Sequence, residues 1–277
     1  MENIIPGVPV GIAPGIVRLT APNPGVMTGP GTNSYIVGTR ELIVIDPGPA
    51  IESHVTALRD AVGDRLKYIL CTHTHLDHSP AALPLKQATG ARIAGRIATQ
   101  DGRQDPGFTP DLVPEDGETI HIDGITLRAV HTPGHASNHL CYLLEEQKLL
   151  FTGDHVMQGS TVVISPPDGD MHAYFASLDK LLALDIAALA PGHGHVIATP
   201  HDEVRRLIAH RLKREQKVVD ALARRHPATL DELVPLAYDD VNERLFPIAR
   251  RSLHAHLLKL ERDGRAQESP AGWTPLS

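Results

Sequence analysis

One run of residues constrains this chain more than any other: Thr72-His73-Thr74-His75-Leu76-Asp77-His78. It follows Tyr68 to Cys71, a short apolar stretch that reads as a buried strand. It precedes Ala81 to Thr89, which reads as a helix stopped by Gly90. Strand ends in α/β folds are where ligands bind. His73 and His75 are two apart, so on an extended segment both point to one side. Asp77 and His78 fall where the chain bends and are free to face a second centre. Four polar side chains in six residues cannot pack as core, and a merely solvated loop has no need of this alternation. The run reads as a metal site.

Three further segments put ligand types at the ends of expected strands. His131-Thr132-Pro133-Gly134-His135 follows a strand ending at Val130, Gly153-Asp154-His155 follows Leu149 to Phe151, and Pro191-Gly192-His193-Gly194-His195 follows Ala187 to Ala190. Each would be weak alone. Together four strand-end loops bring His and Asp to one rim. The inventory suits two metals: His73, His75 and His135 for one, Asp77, His78 and His193 for the other, with Asp154 between them. Composition narrows the metal. There are 17 histidines and 2 cysteines, which excludes a thiolate finger. Imidazole and carboxylate ligands suit two zinc ions, and also iron or manganese. Such a pair holds a bridging hydroxide near neutral pH and polarises the bond it attacks. Asp77 and Asp154 then hold and orient the metal and hydroxide, with no separate protein base.

The rest of the chain reads as two domains, 1–199 and 200–277. The first carries 12 Lys and Arg against 21 Asp and Glu, the second 14 against 12. Gly and Pro thin out at the same place. In the first domain, Thr32 to Val37 and Leu42 to Ile45 read as a hairpin, as do Thr119 to Ile122 and Ile125 to Val130 around Asp123-Gly124. Ile51 to Val62 and His172 to Leu184 have helical spacing. This mixture suggests a layered α/β sandwich. In the second, Asp202 to Arg224 is a long helical run and Thr229-Leu230-Asp231-Glu232 matches a capping box. Ile248 to Asp263 carries an apolar stripe at Leu253, Leu257, Leu258 and Leu260 before Gly264. A short hairpin to Leu276 completes the outline of a winged helix.

The ordered set His73-x-His75-x-Asp77-His78, His135, Asp154 and His193 resembles the metallo-β-lactamase superfamily. The resemblance implies a four-layer αβ/βα sandwich with a two-metal site at one edge. It also implies that Asp46, in Ile45-Asp46-Pro47-Gly48, is a buried group behind the ligands. Gly31-Thr32-Asn33-Ser34-Tyr35, the long helix and the winged-helix-like tail are similar to the β-lactamase-like protein 2 group. That group includes a single-strand-specific endoribonuclease, and fungal polyketide thioesterases are similar to it. Antibiotic-hydrolysing relatives commonly place Cys where Asp154 stands. Glyoxalase II enzymes carry a different C-terminal region, large phosphodiesterase relatives insert a domain, and persulfide dioxygenases hold one iron.

Other residues divide between roles. By the family likeness the Asn33 loop borders the cleft, so Asn33 either donates to a substrate oxygen or caps a turn. His131 is expected to fix the His135 loop by hydrogen bonding. Tyr174 and Phe175 are candidates to flank the substrate or to pack in the core. His139 and His172 are candidates to line the site, while His155 is either behind the ligands or exposed. The loops Arg96 to Glu118 and Val156 to Tyr174 are long enough to be lids. His54, His121, His201, His210, His226, His254 and His256 are assigned no role. Arg250, Arg251, Lys259, Arg262 and Arg265 make either a phosphate-binding face or a solvated face at a homodimer or domain contact.

The leading expectation is a binuclear metal hydrolase acting on a phosphodiester, single-stranded RNA by the whole-chain likeness. A thioester, ester or lactone is the second class. A nucleic-acid-binding regulator with a non-catalytic metal site is the third. No stretch approaches the ~20 apolar residues of a membrane span. The N-terminus lacks the basic residues of a secretory signal, and two cysteines make no disulfide framework, so the expected location is the cytoplasm.

Overall fold

The computed structural model describes residues 3–99 and 101–276. Contacts divide the chain into two units that interleave along the sequence. The first runs to Thr132 and resumes over Asn138–Ser160 and Leu184–Pro200. The second takes Pro133–Ser137, Thr161–Ala183 and the chain from His201.

The first unit is built on two sheets. β1 (Val10–Ala13), β2 (Ile16–Thr20), β3 (Asn33–Gly38) and β4 (Leu42–Ile45) pair antiparallel in sequence order. Helix α1 (Glu52–Val62) leads to β5 (Leu66–Leu70), and α2 (Ala82–Thr89) leads to β6 (Arg92–Ala94). These crossovers make β4, β5 and β6 parallel. The second sheet begins with β7 (Thr119–Ile122), β8 (Ile125–His131), β9 (Leu140–Leu144) and β10 (Leu149–Gly153). Asp123 and Gly124 both adopt positive φ at the β7–β8 turn, as their hairpin spacing predicts. Helix α3 (Met171–Leu182) precedes β11 (Ala188–Pro191), which pairs parallel with β10.

Strand periodicity explains the layers. Tyr35, Val37, Ile43 and Ile45 face inward and pack with Leu127, Leu140, Tyr142 and Phe151 of the other sheet. The alternate residues Ile36, Leu42 and Val44 face outward and pack with Leu58 and Val62 of α1 and Leu85 of α2. Cys71 and Cys141 are both buried as small hydrophobes. Strands β1 and β2 have no counterpart in the sequence reading. Gly11, Pro14 and Gly15 interrupt their pattern, and β1 is a half-exposed edge strand.

In the second unit, α3 is capped by Asp170, whose side chain accepts from the His172 and Ala173 amides. Helix α4 (Pro200–Arg224) is followed by α5 (Leu230–Ala237), opened by the expected capping box of Thr229 and Glu232. Helix α6 (Phe246–Arg262) buries Leu253, Leu257 and Leu260 against Leu222, Leu233 and Trp273. The hairpin of β12 (Ala266–Ser269) and β13 (Gly272–Pro275) closes the chain.

Candidate metal centre

Parallel pairing brings the ligand-bearing turns together. Ile45 lies beside Leu70, and Phe151 lies beside Ala190. The turns that leave these strand ends therefore start side by side. Asp46 leaves β4 in the left-handed region, at φ 49°. Its Oδ1 accepts the Thr72 amide at 2.7 Å, and its Oδ2 accepts the Thr72 hydroxyl at 2.8 Å. The same Oδ2 lies 2.9 Å from His78 Nδ1. Asp46 thus ties both limbs of the 72–78 turn to β4.

That hydrogen bond sets the His78 ring. With Nδ1 on Asp46, Nε2 faces Asp154 Oδ1 at 3.4 Å and Asp77 Oδ2 at 3.6 Å. His78 is fully buried, yet Nε2 has no hydrogen-bond partner. Such an atom is costly to bury unless something binds it. His193 is oriented likewise. Its Nδ1 lies 3.1 Å from the Gly31 carbonyl, and its Nε2 lies 3.3 Å from both Asp77 Oδ2 and Asp154 Oδ1. His73 Nε2 lies 3.0 Å from His75 Nδ1. Two groups, His73–His78–Asp154 and Asp77–His78–His193, each bring ligand atoms within 4.8 Å of one another. Gly192 is required by this closeness, since a Cβ there would lie 2.7 Å from the His78 ring and 2.9 Å from Asp154 Oδ1.

The electrostatics suit a cation. Burial raises Asp77, but His78 and His193 outweigh it and hold its carboxyl at about 2. Asp154 is held well below the carboxylate range against the same burial, by His193 and His78. Burial lowers His193, yet Asp154 and Asp77 lift it to about 9. Burial lowers His73, and His78, His75 and His139 lower it further, so its imidazole is neutral and offers a lone pair. The carboxylates demand positive charge. Protons on His78 and His193 supply it, and a divalent ion displaces such protons when it binds. This donor set fits the metals that the sequence suggests.

Asn33 supports the site. It is buried, accepts the Thr20 hydroxyl at 2.8 Å and donates to the Pro191 and Gly194 carbonyls at 3.0 and 2.9 Å. Its amide is committed to the His193 loop and does not face a substrate. The Tyr35 hydroxyl donates to the same Pro191 carbonyl. His139 stacks on His73 with ring centroids 5.1 Å apart. His155 is buried, which removes the exposed alternative. His131 ends β8, and its amide donates to Asp116. His195 donates its amide to Gln158 Oε1.

His135 belongs to the second unit, where its Nδ1 lies 2.9 Å from the Val163 carbonyl. Its loop is fastened there, with the Asp170 amide donating to Gly134 and the Ser177 hydroxyl to Pro133. Tyr174 does not flank a substrate: its ring is fully buried and lies under the Arg211 guanidinium. His172 is exposed on α3.

Several supports escaped the sequence reading. The Thr74 hydroxyl donates to Gln104 and accepts from Asn138, and Asp105 bonds both the Thr74 carbonyl and the Ser79 hydroxyl. Gln104 and Asp105 of the Arg96–Glu118 loop are thereby bonded to the motif turn. No spacing signal marks these residues. His54 and His256, assigned no role from the sequence, are both buried, and His54 bonds Ser34.

Residues 27–193 match the metallo-beta-lactamase superfamily. The chain belongs to that superfamily. Residues 229–273 match the beta-lactamase associated winged helix domain, so the fold is the family's α/β sandwich followed by a winged helix. The chain is 31% identical to the beta-lactamase-like protein 2 homolog of Drosophila melanogaster, over 92% of this chain and 90% of that protein. It is 34% identical to the atrochrysone carboxyl ACP thioesterase of Aspergillus fumigatus, over 76% of this chain and 66% of that one. A metallo-beta-lactamase family protein from Thermus thermophilus superposes with a TM-score of 0.81 at 22% identity, covering 96% of this chain and 100% of that one. Metallo-β-lactamase proteins are generally hydrolases and typically bind divalent metals, and this chain has clusters able to hold them.

Proposed function

We propose that the protein is a metal-dependent hydrolase of an uncharged ester or thioester. The observation that carries the substrate class is the cavity at His193. It is an open cavity of about 610 Å³ whose polar lining is Asn3, Gln158, Ser160, His193 and His195, and no Lys, Arg, Asp or Glu lines it among the described residues. A phosphodiester polymer calls for the opposite surface, a cationic track for its phosphates. In the second unit Arg250, Lys259, Arg262 and Arg265 each pair with a carboxylate, from Asp231, Asp263, Asp170 and Glu215 respectively. That pairing also weakens the expectation of a nucleic-acid-binding tail. The thioesterase relative supports the acyl reading.

The ligand set is the one read from the sequence. By that reading His73, His75 and His135 would hold one ion and Asp77, His78 and His193 the other, with Asp154 between them. Zinc is the proposed metal, with iron and manganese as the competing occupants. When bound, such ions supply an activated water and polarise the scissile carbonyl. The chain's own part is orientation. Asp46 fixes His78, the Gly31 carbonyl fixes His193, and Asn33 holds the loop that carries His193. Water adds its oxygen to the acyl carbon, the carbon–sulfur or carbon–oxygen bond breaks, and the thiol or alcohol departs with a proton.

The test is a comparison on the full chain loaded with zinc, iron or manganese. A generic acyl thioester is expected to turn over and a single-stranded oligoribonucleotide is not. Metal content should approach two per chain. RNA cleavage without thioester turnover overturns the substrate class, and less than one metal per chain with no turnover overturns the hydrolase reading.

A further inference from the structure

Helix α4 carries two buried arginines, Arg211 and Arg214, and they are answered differently. Arg214 donates to the Ala237 carbonyl and to Asp240, with its guanidinium 4.2 Å from the centre of the Tyr238 ring. Asp240 balances its charge. Arg211 is 3% exposed and forms no ion pair with a carboxylate among the described residues. Its Nε has no hydrogen-bond partner. Burying a guanidinium without a counter-charge is costly, and an apolar side chain would serve packing alone at least as well.

The contacts that Arg211 does make lead to His135. Its guanidinium donates to the Val162 carbonyl and lies 5.4 Å from the centre of the Tyr174 ring. Residues 161–164 belong to no helix or strand, so side chains rather than a ladder secure their carbonyls. The next carbonyl, of Val163, lies 2.9 Å from His135 Nδ1. A carbonyl only accepts, so Nδ1 carries a proton and the neutral ring offers its lone pair on Nε2. Tyr174 meets the same loop. A Cβ on Gly134, which has φ +142°, would lie 2.4 Å from the Tyr174 Cα. Arg211 therefore touches both supports of His135: the segment that fixes its ring and the tyrosine against which the preceding backbone rests.

We infer that Arg211 is a positioning residue for metal binding: from α4 it holds the Val162–Val163 segment and Tyr174, and through them the tautomer and direction of the His135 ring. The inference rests on the ligand set proposed above, in which His135 serves one ion. It gives the long helix a part in metal binding although the helix supplies no ligand. His78 and His193 are oriented instead by Asp46 and the Gly31 carbonyl, so loss of Arg211 should be felt at one ion only.

Two measurements on the full chain test this. The first is zinc affinity in competition with a chelator. In Arg211→Met one of the two ions should bind about 10- to 100-fold more weakly, while the other keeps the parent affinity. Arg211→Lys keeps the charge and a donor but not the planar fork. A smaller loss at the same ion is expected of it, and it carries the comparison if the methionine variant does not fold. Arg214→Met should lower the urea midpoint and leave both affinities unchanged. The second measurement is an NMR spectrum of the imidazole nitrogens in the metal-free protein, with the His135 signals assigned by their loss in His135→Gln. The Arg211 variants should move these signals away from those of a hydrogen-bonded Nδ1–H, and Arg214→Met should not. Parent-like zinc affinities in the Arg211 variants overturn the inference, as does an equal loss in Arg214→Met or an unchanged His135 ring. A parent that binds no zinc while its His135 ring still answers to Arg211 leaves the positioning standing and sinks the metal reading.

Discussion

Two buried groups of charge in this molecule are built on opposite plans. At the strand ends of the first unit, His78 Nε2 is buried without a hydrogen bond and faces Asp77 and Asp154. In the second unit, Glu215 is buried within reach of cations, 3.1 Å from Lys259 and 3.1 Å from Arg265. Arg214 is answered in the same way by Asp240 at 2.8 Å. Burying charge is costly unless it is compensated. Protein groups compensate the second cluster. In the first, two histidines and two carboxylates, all of metal-ligand type, face one another, whereas in the second carboxylates face Lys and Arg.

The largest effect that could break this comparison is at Asp154. Asp154→Ala should lower kcat/KM by a factor of about 10³ or more and reduce metal content, because the residue faces His78 and His193 together. Assays of turnover and metal stoichiometry check this; an active, metal-replete variant would show that the convergence is incidental. Asn33→Ala should act more mildly. It frees the Pro191 and Gly194 carbonyls and loosens the His193 loop, so metal affinity should fall about 10- to 100-fold in competition with a chelator.

The network in the second unit should respond to pH rather than to metal. Burial holds His256 down at about 4, against the pull of Glu215. Burial raises Glu215, but His256 and Lys259 outweigh it and hold it at about 2. Both groups therefore bind protons more readily in the unfolded chain. For His256 the stability is present above its ordinary 6.5 and is lost as pH falls toward 4. For Glu215 the loss runs from 4.5 toward 2. Between pH 7 and pH 5 the His256 contribution should fall by about 2 kcal/mol. Urea unfolding of the parent and of His256→Leu at the two pH values isolates it, with the variant showing the flatter dependence. Arg211 and Lys259 also face His256, and both oppose its protonation.

Much of the site was legible because its chemistry is local in sequence. His73, His75, Asp77 and His78 lie in one run, and Asp154 and His193 follow strands whose apolar patterns are plain. The capping box and the α6 stripe were legible for the same reason. What stayed hidden depends on tertiary approach. Asn33 bonds carbonyls 158 and 161 residues away, and Asn138 meets Thr74 across 64 residues. Tyr174 has helical spacing whether it faces a substrate or Arg211, and only packing decides. The cavity wall combines residues from four distant segments, so no window of sequence displays it.

The smallest effect sharpens the comparison most cleanly. Thr229 caps α5, its hydroxyl accepting the Glu232 amide while Glu232 returns to the Thr229 amide. Thr229→Ala should cost about 1 kcal/mol, a typical N-cap. Effects at independent sites add, whereas those at coupled sites do not. The Thr229→Ala shift in urea midpoint should therefore be the same with metal and with a chelator present. Asn33→Ala should cost more with metal present than without, because it also weakens what binding contributes to the folded state. Equal metal dependence in the two variants would mean that Asn33 serves the fold alone and that its hold on the His193 loop has no bearing on the metal.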